Sequence, residues 1–180
     1  MIIKHFEINK LKFDKHNYFL VYGENEGLKK EIIQTLKKKN SGSVENYEEG
    51  QIVSNSELFY ENLLNKSLFE KEKIIIVNRC SEKIYDIIEK IMDKNISDTK
   101  IILNLNILEK KSKLRNLFEK EKELIIIPTY KDNSIALAEI AKKFFNNYKI
   151  SISQETINLL VSRCNGDRGH LKSELDKILI

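Results

Sequence analysis

The spacing of apolar residues changes along the chain and divides it into parts. Tyr18-Phe19-Leu20-Val21-Tyr22 is a continuous aromatic and β-branched run closed by Gly23, which predicts a buried strand. Leu28, Ile32, Ile33 and Leu36 then recur three and four apart, predicting a helix that frays into Lys37-Lys38-Lys39-Asn40. Ser41-Gly42-Ser43 reads as a loop, and Leu58, Phe59 and Leu63 as one face of a helix between Glu57 and Leu64. Ile74-Ile75-Ile76-Val77 has the unbroken apolar character of a parallel strand covered on both faces. Ile84, Ile87, Ile88 and Ile91 predict the next helix and Ile101-Ile102-Leu103 the next strand. Leu114, Leu117 and Phe118 predict a helix, and Leu124-Ile125-Ile126-Ile127 a strand stopped by Pro128. Strands alternating with helices in this way specify a doubly wound α/β layer with a parallel sheet.

Near Lys131-Asp132-Asn133 the periodicity becomes wholly helical. Leu137, Ala138, Ala141, Phe144 and Phe145 share one face, followed by Ile157, Leu160, Val161 and Cys164. Leu171, Leu175, Ile178 and Leu179 line a third helix started at Gly166-Asp167. The expected organisation is an α/β domain over 1–131 and a small three-helix domain over 132–180, the latter too short to bury a sufficient core alone.

With 41% hydrophobic and 32% charged residues among 180, the chain has the balance of a soluble globule. No apolar run approaches the roughly 20 residues of a membrane span, and Met1-Ile2-Ile3-Lys4-His5-Phe6 is too quickly interrupted by charge for a signal peptide. A cytoplasmic protein without membrane contact is expected, with Cys80 and Cys164 as free thiols. The net charge of +4 says little about partners, because only four of the 31 basic residues are arginines. A bias to lysine, isoleucine and asparagine reads as an AT-rich genome, whereas arginine's fork is the better phosphate clamp.

The strand-to-helix turn Gly23-Glu24-Asn25-Glu26-Gly27-Leu28-Lys29-Lys30 stands where a phosphate-binding loop would sit. A working loop needs four residues between its glycines, then lysine, then a hydroxyl for Mg²⁺. Here three residues intervene, Leu28 replaces the lysine, the hydroxyl is missing, and Glu24 and Glu26 would repel a polyphosphate. Val77-Asn78-Arg79 brings no acid to the tip of its strand. Gly23, Gly27 and Lys29 therefore mark a degenerate phosphate loop; Lys29 either reaches an anion at the helix start or, as expected, lies on the helix surface. His5, His16 and His170 are scattered, Glu174 and Asp176 read as solvated charge, and nothing has metal-ligand spacing. The chain is expected to have no catalytic residue, metal or cofactor of its own.

Ser67-Leu68-Phe69 breaks both helical and strand periodicity. Two adjacent apolar side chains amid Asn65, Lys66, Glu70 and Lys71 either cap the local core or stand exposed as an apolar anchor for a partner. Lys110, Lys111, Lys113 and Arg115 open a helix and are candidate phosphate contacts or a solvated helix face.

Together these segments resemble the delta-subunit family of bacterial DNA polymerase III clamp loaders. The resemblance rests on 18–28, on Ser67-Leu68-Phe69, on Ile107-Leu108-Glu109-Lys110-Lys111-Ser112-Lys113-Leu114-Arg115, and on Gly166-Asp167-Arg168 through Glu174-Leu175. It implies a P-loop-NTPase-like fold of AAA+ type without a working ATP site, in a subunit that opens the sliding clamp (beta subunit) during DNA replication. It places the clamp-binding role on Ser67, Leu68 and Phe69, and implies gamma/tau and delta prime subunits and primer-template DNA as further partners. Polymerisation of deoxynucleotides would then belong to the holoenzyme as a whole. ATPases of this type carry a nucleotide-sensing arginine in a Gly-Asp-x-Arg turn; here Gly169 stands at that position and Arg168 one place earlier, which agrees with lost nucleotide sensing. The family continues into a helical collar domain, so a fragment lacking the collar is expected. The competing readings are a diverged nucleotide-dependent enzyme using Lys29 or Lys30, and a DNA-binding module formed by the C-terminal helices.

Overall fold

The apolar runs at 18–22, 74–77 and 101–103 become the inner strands of a five-stranded sheet of order β2-β3-β4-β1-β5. The computed structural model describes residues 1–40, 42–64, 72–94, 96 and 98–179, with Leu64 described by its backbone alone. β1 (Tyr18–Gly23) pairs in parallel with β4 (Thr99–Leu105), placing Leu20 opposite Leu103, and β3 (Lys73–Cys80) pairs in parallel with β4. Phe19, Leu20, Val21, Ile74, Ile75, Ile76, Val77, Ile102 and Leu103 are at most 2% exposed, as two-sided coverage demands.

The edges are treated differently. β2 (Ser43–Glu48) pairs in parallel with β3 and is half-buried and polar, so a segment begun by the expected loop residue Ser43 is in fact an edge strand. At the other edge, β5 (Ile125–Thr129) is covered by the N-terminal residues: Ile3 N donates to Ile126 O at 2.9 Å, and Ile126 N to Met1 O at 3.0 Å. Pairing an edge in this way removes a template for foreign strands.

Helices α1 (Glu26–Lys38), α2 (Glu49–Ser54), α3 (Ser56–Leu64), α4 (Tyr85–Asp93) and α5 (Lys113–Lys120) connect or precede the strands. α6 (Ser134–Asn147), α7 (Gln154–Arg163) and α8 (Arg168–Ile178) follow them, and short 3₁₀ turns run over 5–10, 13–15 and 82–84. The described chain forms two compact units, one of 1–23 with 32–128, the other of 24–31 with 129–180. Leu20, Ile75, Val77, Ile88, Leu103 and Phe118 belong to the core of the first. Leu137, Ala141, Phe145, Ile157, Leu171 and Leu175 belong to that of the second, while Ile178 and Leu179, assigned to its apolar face by spacing, are exposed. Both cysteines are buried free thiols. Among the described residues no helix is long and apolar enough to cross a membrane.

Candidate functional site at the glycine turn

β1 ends at Gly23, whose φ of 139° an L side chain would rarely adopt. The turn that follows belongs to the second unit, and Asn25 organises it. Fully buried, Asn25 caps α1 by accepting from Leu28 N at 3.0 Å through its Oδ1. Its Nδ2 donates to Asp132 Oδ2 at 2.8 Å, Tyr130 O at 3.1 Å and Gly166 O at 3.3 Å. One amide thus ties the start of α1 to the segments leading into α6 and α8.

The next two amides meet a carboxylate. Asp167 Oδ2 accepts from Glu26 N at 2.8 Å and Gly27 N at 3.4 Å, while its Oδ1 caps α8 by accepting from Gly169 N at 2.6 Å and His170 N at 3.2 Å. A Cβ added at Gly27 would stand 2.0 Å from Gly169 N and 2.5 Å from Gly169 Cα. The space beside these amides is filled by the chain's own backbone.

The cations nearby are engaged as well. Lys29, expected on the surface, is 1% exposed, with its Nζ 2.7 Å from Glu26 Oε1. Its spacing from the buried Ile32, Ile33 and Leu36 is three, four and seven residues, so the signal for an inward-facing lysine was present in the sequence. Arg168 binds Asp132 with both arms, Nε at 2.8 Å and Nη2 at 2.6 Å, and reaches Glu31 at 2.9 Å. The Asp132 hydrogen bond raises the arginine's pKa against the opposing effect of burial, so the guanidinium is permanently charged. Beyond the local caps made by Asn25 and Asp167, the bonds of Asn25, Asp132 and Asp167 that build this site run to partners distant in the sequence and carry no local signal.

At the tip of β3 the pairing with β4 is irregular between Val77 and Cys80, and Arg79 adopts a φ of 53°. Asn78 stands where an acid would be needed, and its Oδ1 accepts from Asn104 Nδ2 at 3.1 Å. At the turn itself a nucleotide phosphate does not fit: the amides of Asn25, Glu26, Gly27 and Leu28 are already bonded within the chain, and Gly27 abuts the backbone of Gly169. Among the described residues no group of three or more histidine, cysteine, aspartate or glutamate side chains could hold a metal ion.

The candidate phosphate contacts separate into two kinds. Lys110, Lys111 and Lys113 are exposed at the start of α5, whose first amides are capped by Ser112 and Glu82. Lys111 and Lys113 share a cleft of about 800 Å³ with Glu82, Asp86 and Glu109, so the local charge is mixed. Arg115 is held instead: Nε donates to Glu119 Oε1 at 2.7 Å, Nη1 to Leu108 O at 3.4 Å, and the guanidinium lies 5.4 Å from the Tyr22 ring centroid. Glu174, expected in solvent, is half-buried and ion-paired with Lys177 at 2.6 Å, which lowers its pKa. Ser67, Leu68 and Phe69 lie outside the described residues.

No family model and no curated protein sequence matches this chain. Solved structures do. The Bacillus subtilis DNA clamp loader delta protein YqeN is similar with a TM-score of 0.56 and 15% identity over 96% of this chain, which spans 56% of that protein. Domain III of the Thermotoga maritima replication initiation protein DnaA matches with a TM-score of 0.55 and 14% identity, covering 97% of this chain and 80% of that one. Thermotoga maritima RuvB matches with a TM-score of 0.60 and 13% identity, covering 89% of this chain and 53% of that one. The chain therefore has the α/β fold of AAA+ P-loop proteins.

Proposed function

We propose that this chain is a non-hydrolysing, delta-type subunit of a clamp loader, which binds and opens a sliding clamp during DNA replication. The observation that carries this reading is the contrast between an AAA+ fold and a phosphate turn closed by Asp167, Gly169 and the Lys29–Glu26 pair. A domain retained without its nucleotide chemistry acts through what it contacts. The likeness to the Bacillus subtilis delta protein across nearly the whole chain supports the choice of partner.

In this reading Leu68 and Phe69 enter an apolar clefts on the clamp, with Ser67 beside them. Each buried side chain would contribute about 1.5–3 kcal/mol. Opening follows from differential affinity, the pair binding the opened clamp better than the closed one. ATP acts on the neighbouring gamma/tau subunits, with delta prime completing the assembly. Lys110, Lys111 and Lys113 contact the phosphates of primer-template DNA without reading sequence, and Arg115 shapes the same helix.

The test is a pull-down with the cognate clamp, comparing the chain with a Leu68→Ala, Phe69→Ala double variant. Binding lost with the circular dichroism spectrum unchanged supports the proposal; equal binding by both proteins refutes it. Calorimetry with Mg²⁺–ATP checks the alternative of a diverged nucleotide enzyme, which requires micromolar affinity.

A further inference from the structure

Asp167 places one carboxylate between two helix starts. Oδ1 alone would suffice to cap α8, through Gly169 N and His170 N. Oδ2 faces away from that cap and accepts from Glu26 N and Gly27 N, the leading amides of α1. In a phosphate-binding turn such amides point at the ligand, and the helix dipole favours negative charge there. Four N–H donors fill the acceptor positions of one carboxylate. The side chain is 8% exposed as a residue, so water does not supply the same bonds freely.

The surroundings are built for that bridge and against a ligand. Gly27 and Gly169 approach backbone to backbone, and a methyl group at Gly27 would already overlap Gly169 N at 2.0 Å. The cations that would greet it are held by Glu26 on Lys29 and by Asp132 and Glu31 on Arg168.

We propose that Asp167 is an internal anion standing where a nucleotide phosphate would bind, locking the glycine turn and the start of α1 to the start of α8 and excluding nucleotide from the turn. This inference does not depend on the clamp as partner, and its test involves no clamp.

Residue-resolved amide hydrogen exchange on the full chain tests it. Asp167→Ser keeps a short acceptor for α8 but cannot span to α1. The amides of Glu26 and Gly27 are expected to exchange at least about tenfold faster in this variant, with Gly169 and His170 still protected. In Asp167→Gly, which removes the side chain while glycine remains a tolerated helix cap, added acetate restores protection at Glu26 and Gly27. Should Asp167→Ser fold poorly, Asp167→Asn, isosteric but uncharged, shows the same direction of change at those two amides. Unchanged exchange at Glu26 and Gly27 in the variants overturns the proposal. So does failure of acetate to restore protection, or protection of the wild-type turn by Mg²⁺–ATP.

Discussion

Gly27 and Gly169 meet backbone to backbone, so closely that a Cβ on Gly27 would fall 2.0 Å from the Gly169 amide nitrogen. Gly27→Ala must push the two helix starts apart, and is expected to cost about 1–3 kcal/mol. Gly50, in α2, has nothing within 4 Å of the corresponding position. Gly50→Ala should be neutral or add up to about 1 kcal/mol. Urea unfolding of the two variants beside the wild type checks both signs.

Asp132 accepts from Arg168 and from Asn25 at once, and its side chain is 7% exposed. Asp132→Ala removes the bonds from both residues and strands part of a guanidinium that is only 12% exposed. A loss of about 1.5–3 kcal/mol is expected, moderated by the remaining Glu31 contact. The double variant Asp132→Ala, Arg168→Met should recover part of that loss, because no buried cation is left without its carboxylate and Glu31 is largely in solvent. Thermal and urea denaturation of the single and double variants measure the difference.

Arg115 and the three lysines before it should part company under mutation. Arg115→Ala gives up the bonds to Glu119 and Leu108 and the stacking on Tyr22, so its cost appears as lost stability of about 1 kcal/mol or more. Replacing Lys110, Lys111 and Lys113 together by glutamine should leave stability within about 0.5 kcal/mol. If those lysines touch DNA, the triple variant lowers duplex affinity and flattens its salt dependence. Fluorescence anisotropy across a salt series reads this directly.

Burial raises the pKa of Cys80 and of Cys164. Both should therefore resist a thiol-reactive disulfide reagent at pH 8 in the native state and react fully in urea. The sign for stability follows from proton counting. Above the unfolded thiol value of 9.0 the unfolded chain releases protons that the folded chain keeps, so stability present below that pH declines as pH rises. Lys100, whose pKa burial lowers, works the other way below 10.5. Comparing wild type with a Cys80→Ala, Cys164→Ala variant between pH 8 and about 10.5 isolates the thiols; the variant's stability should fall less steeply.

The inner strands were legible because two-sided burial forces continuous apolar runs, as at 74–77 and 18–22. β2 was not, because an edge strand half-covered by neighbours needs only Val44 and Tyr47 among polar residues. The helices of both units followed from periodicity, except short α2, whose single buried residue is Ile52. At the site, the faults of the phosphate turn could be read locally: its glycine spacing and its missing lysine and hydroxyl. What fills the turn could not, because Asp167 meets Gly27 across 140 residues of sequence. Lys29 lay between the two cases, since its helical spacing pointed inward while its charge argued for water.

The polar outer strand β2 has a consequence for assembly. A second sheet approaching along that border would have to align against Glu45 and Glu48, the first already bound to Lys73 at 2.7 Å. Charged side chains carried on the outer strand discourage lateral growth from this side.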